Sequence, residues 1–381
     1  MKTVFVSAFM NTHQLPLSEA LNQLTGANYS FIETVDKNDA NKKTEKELLY
    51  LFKAYKDEEY EICREKVNHA DVVIAGSVFD DLLRERIQKK KLIFRYSERP
   101  LKNGIEPVKY IPRYIKWNLK NPRKAPIYML CASAFTALDY SRYGLFRNKC
   151  YKWGYFPKTR RYEEEEELYR KKDKMRLIWC GRLLKLKHPD DAVRIARMLR
   201  DDGIAFSLKI IGAGEMEAEL KEMIQNLRLQ SCVEMTGAMN AEDVRKEMEN
   251  AGIFLFTSDR YEGWGAVLNE AMNSGCAVVA SDAIGSVPYL LKNNINGLIY
   301  HSGDVCELYQ KVRYLLDKQE EQKRLGNAAY HTISDLWNAE LAAERLLLLA
   351  REIQNGNPFP NLFEDGPCSR APVIKENWYE K

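Results

Sequence analysis

The chain has 381 residues, 45% of them hydrophobic and 29% charged, which is apolar material for two cores of ordinary size under a normally charged surface. Apolar runs such as 251–256 and 346–350 fall far short of the roughly 18 residues a bilayer span needs, which excludes a membrane-spanning helix. The net charge of +4 is unevenly spread: between 84 and 124, fourteen Lys or Arg stand against Glu85, Glu98 and Glu106, so the remainder carries an excess of acid.

The opening "MKTVFVSAFMNTHQ" has a short apolar part and no small-residue cleavage site after it, so it reads as a first buried strand and not as a signal peptide. A cytosolic location is expected. Eight scattered cysteines agree, since they form neither a CxxC metal site nor a compact disulfide framework. Cys180 and Cys276 lie at or beside predicted strands and are expected to be small core residues.

In chain order, "TVFVSAF" (3–9), "YSFIET" (29–34), "DVVIAGS" (71–77), "KLIFRYS" (91–97) and "IYMLCAS" (127–133) are apolar on both faces, as strands of a covered parallel sheet should be. Residues 44–67, between the second and third runs, have apolar positions at helical spacing. The stretch 157–174 is charged, lacks a core-forming pattern and reads as a domain connection; Glu163–Glu167 is expected to be solvated. From 176 the alternation resumes with "RLIWCGR", "SLKIIGAG", "VEMTGAM", "GIFLFTSD", "CAVVASD" and "NGLIYHSG". Two amphipathic helices follow, about 319–335 and 337–353, then a tail ending in aromatics. Strand–helix alternation of this kind predicts two doubly wound, Rossmann-like α/β domains facing a central cleft. The predicted boundaries are 1–158, 159–335, and a helix and tail at 336–381 that pack back on the body.

Chemistry is concentrated in the second half. "RYEGWGAVLNEAMNSG" (260–275) is a turn followed by a helix closed by Gly275. Gly263 and Gly265 allow close backbone approach, and the helix start suits a diphosphate. Glu262 lies in the turn and Glu270 roughly 9 Å along the helix at 1.5 Å per residue. Two acidic acceptors flanking a phosphate cradle fit a sugar on one side and a ribose on the other. Arg182 falls just past a strand end and Lys187 five residues later, where a fork and a point charge could neutralise a diphosphate leaving group.

The combination "GRLLKLK", "IIGAGEMEAEL", "EGWGAVLNEAMNSG" and "AVVASD" resembles the nucleotide-binding domain of retaining glycosyltransferases of family 4, which have the GT-B fold. The likeness covers about residues 175–300. The family's Glu-x7-Glu signature falls on Glu262 and Glu270, and its phosphate-binding Arg and Lys fall on Arg182 and Lys187. Trp264 stands where the family commonly has Phe, and His188 where it commonly has Gly.

That resemblance implies a nucleoside-diphosphate-sugar donor, UDP-linked by expectation, and retention of anomeric configuration without a metal or other cofactor. It implies that the donor's own phosphate helps to deprotonate the acceptor, so no general base is named. Arg182, Lys187 and Glu262 are the catalytic candidates. Gly212, Gly214, Gly263, Trp264, Gly265, Glu270, Gly285, Ser286 and Val287 are the donor-binding candidates. A lone GxG at 212–214 is a weak dinucleotide signal, because the third glycine is missing.

The first half matches the family loosely, as an acceptor-reading domain would, and its motifs look like those of bacterial surface-polysaccharide enzymes. His13, after the first strand, and Arg95, Glu98 and Arg99, past a later one, are the acceptor-side candidates. The basic stretch interleaves Tyr110, Ile111, Tyr114, Ile115 and Trp117 with cations, which suits an anionic membrane surface and a glycan or lipid-diphosphate-linked acceptor. No nucleic acid partner is expected, since no binding motif accompanies the charge. The competing readings are an inactive GT-B scaffold docking through its basic face, and an epimerase or phosphorylase, for which no catalytic residues are identifiable.

Overall fold

In the computed structural model, which describes residues 1–36, 48–76 and 80–380, the apolar runs assemble into two parallel sheets. The first contains β1 (Thr3–Ser7), β2 (Tyr29–Glu33), β3 (Leu51–Lys53), β4 (Val72–Ala75), β5 (Ile93–Ser97), β6 (Ile127–Cys131) and β7 (Cys150–Lys152), in the order β3-β2-β1-β4-β5-β6-β7. The second contains β8 (Asp173–Cys180), β9 (Ser207–Ile211), β10 (Val233–Gly237), β11 (Ala251–Phe256), β12 (Ala277–Ser281) and β13 (Leu298–Tyr300), in the order β10-β9-β8-β11-β12-β13. Every residue of β1, β4, β6, β11 and β12 is buried, which is why these segments show no alternation of apolar and polar residues.

The chain divides into two units. Unit 1 comprises 1–158 and 338–375; unit 2 comprises 159–337 and 376–381. The helix Ala339–Gln354 therefore belongs to unit 1, where it packs on the helix Leu15–Thr25. In unit 2, Leu177 and Ile253 of the central strands meet Ile195, Leu220 and Val312 from three surrounding helices. Val4, Val73 and Ile93 anchor the corresponding core of unit 1.

Two sequence expectations are corrected. The helical reading of 44–67 holds from Asp57 and fails over 48–56, where Leu51 pairs with Phe31 as an edge strand. Residues 44–47 lie outside the described residues. The non-local pairing with β2 decides the matter over local spacing, because edge pairing satisfies main-chain groups that spacing does not report.

The stretch 157–174 is not a featureless connection. Glu163, Glu164 and Glu166 are exposed, but Leu168 and Tyr169 are buried on the helix Glu165–Lys171. Lys172 is also buried, and its ammonium donates to the carbonyls of Met248, Glu249 and Ala251 at 3.0, 3.1 and 2.8 Å. It caps the C-terminal end of the helix Ala241–Asn250, whose last carbonyls lack helical partners. Arg160 adds a bond to Glu249 at 2.6 Å. Glu163, Glu164 and Glu166 are solvated as expected, whereas Lys172 caps a helix, and a composition count cannot distinguish the two.

Candidate functional site

Unit 2 has the strand order of a doubly wound sheet, with β8 and β11 side by side where the order reverses. The loops leaving the C-terminal ends of two such strands are where ligands bind in this architecture. The two loops are Gly181–His188, after β8, and Thr257–Gly265, after β11. They are stitched together by main-chain and hydroxyl contacts. The Asp259 N–H donates to the Leu186 carbonyl at 2.9 Å. The Thr257 hydroxyl lies 2.7 and 2.9 Å from the Lys187 and His188 carbonyls and accepts from the Trp179 indole at 2.9 Å.

Across this seam Lys187 forms an ion pair with Glu262, both side chains largely buried, and the Ser258 hydroxyl donates to the same carboxylate oxygen at 3.2 Å. An ammonium has three donors, so one can hold Glu262 while another meets a phosphate oxygen. Arg182, in the same loop, is exposed.

Glu270 is on the short helix Val267–Asn273. Burial pushes its carboxyl above the usual range, and the charges of Arg245 and Arg160 partly oppose that rise. The Cys180 thiol, at the end of β8, is pushed up to about 12 by burial, with Glu270 adding to the rise and Lys187 opposing it. Lys187 and Glu262 pair at this seam, and the charges of Glu270 and Lys187 both act on the thiol at the end of β8, two residues before Arg182.

The glycines act through close packing. A Cβ on Gly212 would lie 1.8 Å from the Gly181 carbonyl oxygen, and one on Gly214 would lie 2.5 Å from that of Leu183. Only bare backbone lets the loop after β9 press against the loop after β8. Gly265 has φ +78°, and a Cβ there would meet the Phe256 ring at 2.3 Å. Gly263 is buried beside it. His188 is also left-handed, at φ +46°, a conformation that glycine adopts without strain. Its Nε2 lies 3.3 Å from Asp259, a contact glycine could not make.

Three donor-side candidates have buried side chains. Trp264 is fully buried, its indole N–H donates to Asn269 at 2.9 Å, and its ring packs beside Tyr289 and Trp337. Its side chain supports the turn from behind and does not face a ligand. Ser286 is buried and donates its hydroxyl to the Trp264 carbonyl at 2.5 Å. Val287 is buried core. The Gly285 N–H donates to the Glu262 carbonyl at 3.2 Å. The segment 285–287 therefore braces the turn that carries Glu262.

Unit 1 repeats the architecture, and the ends of β1, β4, β5 and β6 surround a cavity of about 490 Å³. Arg95, Glu98, Gln14, Trp117, Lys120 and Tyr155 are among its walls. The Arg95 guanidinium is oriented by Asn121 at 2.9 Å, and Glu98 accepts from the Tyr155 hydroxyl at 2.6 Å and from Lys102 at 2.8 Å. The His13 ring stacks on Tyr155 with centroids 6.0 Å apart; its Nδ1 is buried without a hydrogen-bond partner, and burial lowers its pKa.

Arg99 is a correction. It is buried and paired with buried Asp139 at 3.3 Å, with its guanidinium over the Phe135 ring, so it belongs to the core and not to a substrate surface.

Sequence reading missed Tyr155 and Gln14 in this cavity, and Ser258 and Thr257 in unit 2. Thr257 and Ser258 directly follow a strand, which was a usable signal. Tyr155 carried none, because only folding brings it beside Glu98. The basic helix Pro107–Lys120 also differs from expectation: Tyr110 and Trp117 turn inward onto Tyr143, with centroids 4.8 Å apart in each case. Its outer face instead carries Val108, Ile111, Ile115 and Leu119, exposed by 90, 67, 52 and 74%. Among the described residues no helix is long and apolar enough to cross a membrane.

Comparison with known proteins bears on both units. Amylovoran biosynthesis glycosyltransferase AmsK of Erwinia amylovora is 33% identical over 177 residues, 45% of this chain and 43% of that protein. The N-acetylgalactosamine-N,N'-diacetylbacillosaminyl-diphospho-undecaprenol 4-alpha-N-acetylgalactosaminyltransferase of Campylobacter jejuni is 29% identical over 158 residues, 42% of this chain and 41% of that one. The aligned stretch thus spans less than half the length of these curated relatives. The crystal structure of Anabaena Alr3699/HepE in complex with UDP superposes with a TM-score of 0.71 at 14% identity, covering 93% of this chain and all of that one. At that identity the likeness is one of fold: two parallel-sheet α/β domains of the GT-B class. Residues 161–332, the stretch that carries Arg182, Lys187, Glu262 and Glu270, match the family model of glycosyl transferases group 1.

Proposed function

We propose that this chain is a retaining, metal-independent glycosyltransferase. It moves a sugar from a nucleoside diphosphate, UDP by preference, to a glycan or lipid-diphosphate-linked acceptor in the building of a cell-surface polysaccharide. The observation that carries the reading is the largely buried Lys187–Glu262 ion pair across the two loops at the switch point of unit 2, with Arg182 in the same loop as Lys187. An inert scaffold has no use for a cation and an acid paired across two loops at the place where this architecture binds ligands.

On this reading Arg182 and Lys187 hold the diphosphate, Glu262 takes hydroxyls of the transferred sugar, and Glu270 takes those of the ribose. The bond from the anomeric carbon to the diphosphate oxygen breaks, and a bond from the acceptor oxygen to that carbon forms on the same face. The acceptor's proton passes to the departing phosphate. Negative charge grows on the diphosphate as it leaves, and fixed cations stabilise it more in the transition state than in the ground state. Because the two cations supply that charge, the scheme assigns no metal or other cofactor. UDP as the nucleotide and a polyprenyl-linked acceptor are supported by the UDP bound in the Anabaena structure and by the diphospho-undecaprenol acceptor that the name of the Campylobacter relative gives.

The acceptor is assigned to the unit 1 cavity, where Arg95, Glu98 and His13 contribute polar groups. The outer stripe of the helix Pro107–Lys120, flanked by Lys109, Arg113 and Lys116, is assigned to an anionic membrane surface. Apolar side chains can enter the headgroup boundary while the cations meet lipid phosphates. The protein would then work at the cytoplasmic face of a membrane.

The test is a thermal-shift panel of nucleotide sugars followed by turnover of the best one. A donor at 100 times its dissociation constant stabilises the protein by about 2.7 kcal/mol. Loss of turnover in Arg182→Ala and Glu270→Ala, with melting temperature kept, is expected. Turnover unchanged in both variants would remove the assignment.

A further inference from the structure

The segment 376–380 lies on unit 2, although residues 338–375 before it belong to unit 1. It is held by specific polar bonds. The Trp378 indole N–H donates to the Asp282 carbonyl at 3.0 Å, and the Tyr379 hydroxyl donates to the Ile299 carbonyl at 2.7 Å. The Tyr379 ring packs on His301 with centroids 5.0 Å apart, and both aromatic side chains are half-buried. Glu376 accepts from Arg260 at 3.2 Å.

The Glu376 and Trp378 contacts fall on two segments next to Glu262, and the Tyr379 contacts anchor the chain at the end of β13. Arg260 precedes Glu262 by two residues in the turn. Asp282 opens the loop in which Gly285 donates to the Glu262 carbonyl and Ser286 to that of Trp264. A strap touching both the turn and the loop braced against it restricts the two together, because neither can move without breaking a contact to the same short segment.

We propose that Glu376, Trp378 and Tyr379 are positioning residues for the nucleotide site, strapping the turn 259–265 and the loop 282–286 into the geometry that presents Glu262. This rests on the glycosyltransferase reading for what the site binds. Trp378 and Tyr379 are the principal anchors, since they pair main-chain carbonyls through rigid, half-buried rings. The Glu376–Arg260 pair is 40% exposed on each side and contributes less.

The experiment compares the full chain with a chain stopped after Lys375 and with the Trp378→Ala/Tyr379→Ala double variant. Amide hydrogen exchange is followed in peptides covering 257–265 and 282–291, with the helix Pro189–Asp201 as internal control. UDP affinity is measured by calorimetry, and KM and kcat by hydrolysis of the UDP-sugar that stabilises the full chain most. Faster exchange in the two peptides alone is expected, with UDP bound about tenfold more weakly. Donor KM should rise while kcat stays within about twofold. Equal protection and equal UDP affinity in all three chains would overturn the strap. A full chain that binds no nucleoside diphosphate would overturn the reading of the site instead, and the exchange data would still decide whether the segment restrains the turn.

Discussion

Lys187 and Glu262, 75 residues apart in the chain, form one ion pair across the loops that follow β8 and β11. The acid assigned to the sugar and the cation assigned to the diphosphate are therefore held to a common position before either meets a substrate. Such an arrangement presets the distance between phosphate and sugar contacts, which is the geometric content of preorganisation.

Removing either partner should damage turnover more than stability. Lys187→Ala loses a cation that faces growing negative charge, and a fall in kcat of about 10²–10³ is expected, the range seen when one such group is removed. Glu262→Gln keeps the shape but surrenders the charge that holds Lys187. A double-mutant cycle read by donor turnover checks the coupling: the double variant should be much less impaired than the product of the single effects.

The raised pKa of Glu270 makes nucleotide affinity depend on pH in a defined direction. Only the carboxylate accepts two ribose hydroxyl donors fully, so affinity should weaken as pH falls through the raised folded value, above the range where an exposed glutamate protonates. The stability effect has the opposite sense. A carboxyl whose pKa is raised on folding favours the native state when protonated, and that stabilisation is lost as pH rises through the window between its unfolded and folded values. Calorimetry of UDP binding against pH checks the first statement; Glu270→Gln should flatten the profile.

Arg99 and Asp139 offer a contrasting test, because their pair belongs to the core of unit 1. Asp139 also accepts from the Leu101 N–H at 3.0 Å. Arg99→Ala leaves a buried carboxylate without its cation and should cost about 3–5 kcal/mol. Chemical denaturation should show that loss. Turnover per folded molecule at low temperature should change little, and a loss of turnover without a loss of stability would return Arg99 to the substrate surface.

The outer face of the helix Pro107–Lys120 predicts binding to vesicles containing anionic phosphatidylglycerol and little binding to phosphatidylcholine alone. Ile111→Glu/Ile115→Glu should abolish cosedimentation, since the stripe loses apolar area and gains like charge to the lipid. Raising salt from 0.1 to 1 M shortens the screening length from about 10 to about 3 Å and should weaken the wild-type interaction. Cosedimentation that ignores both lipid charge and salt would sink the assignment.

Residue order alone was sufficient for the central strands of both sheets and for the close-packed glycines of unit 2. Buried parallel strands need continuous apolar runs, and glycine is demanded wherever two backbones touch, as at Gly212 and Gly214; both constraints are local and leave a local trace. The edge strand at Leu51, the capping lysine at 172, the core pairing of Arg99, the inward turn of Trp264 and the strap at 376–380 left none. Each depends on which distant group arrives opposite, and a charged or aromatic side chain looks the same in sequence whether it meets water, a ligand or a buried partner. Only the packed structure, by removing water from some of these groups and supplying others with a partner, decided which of them face the site.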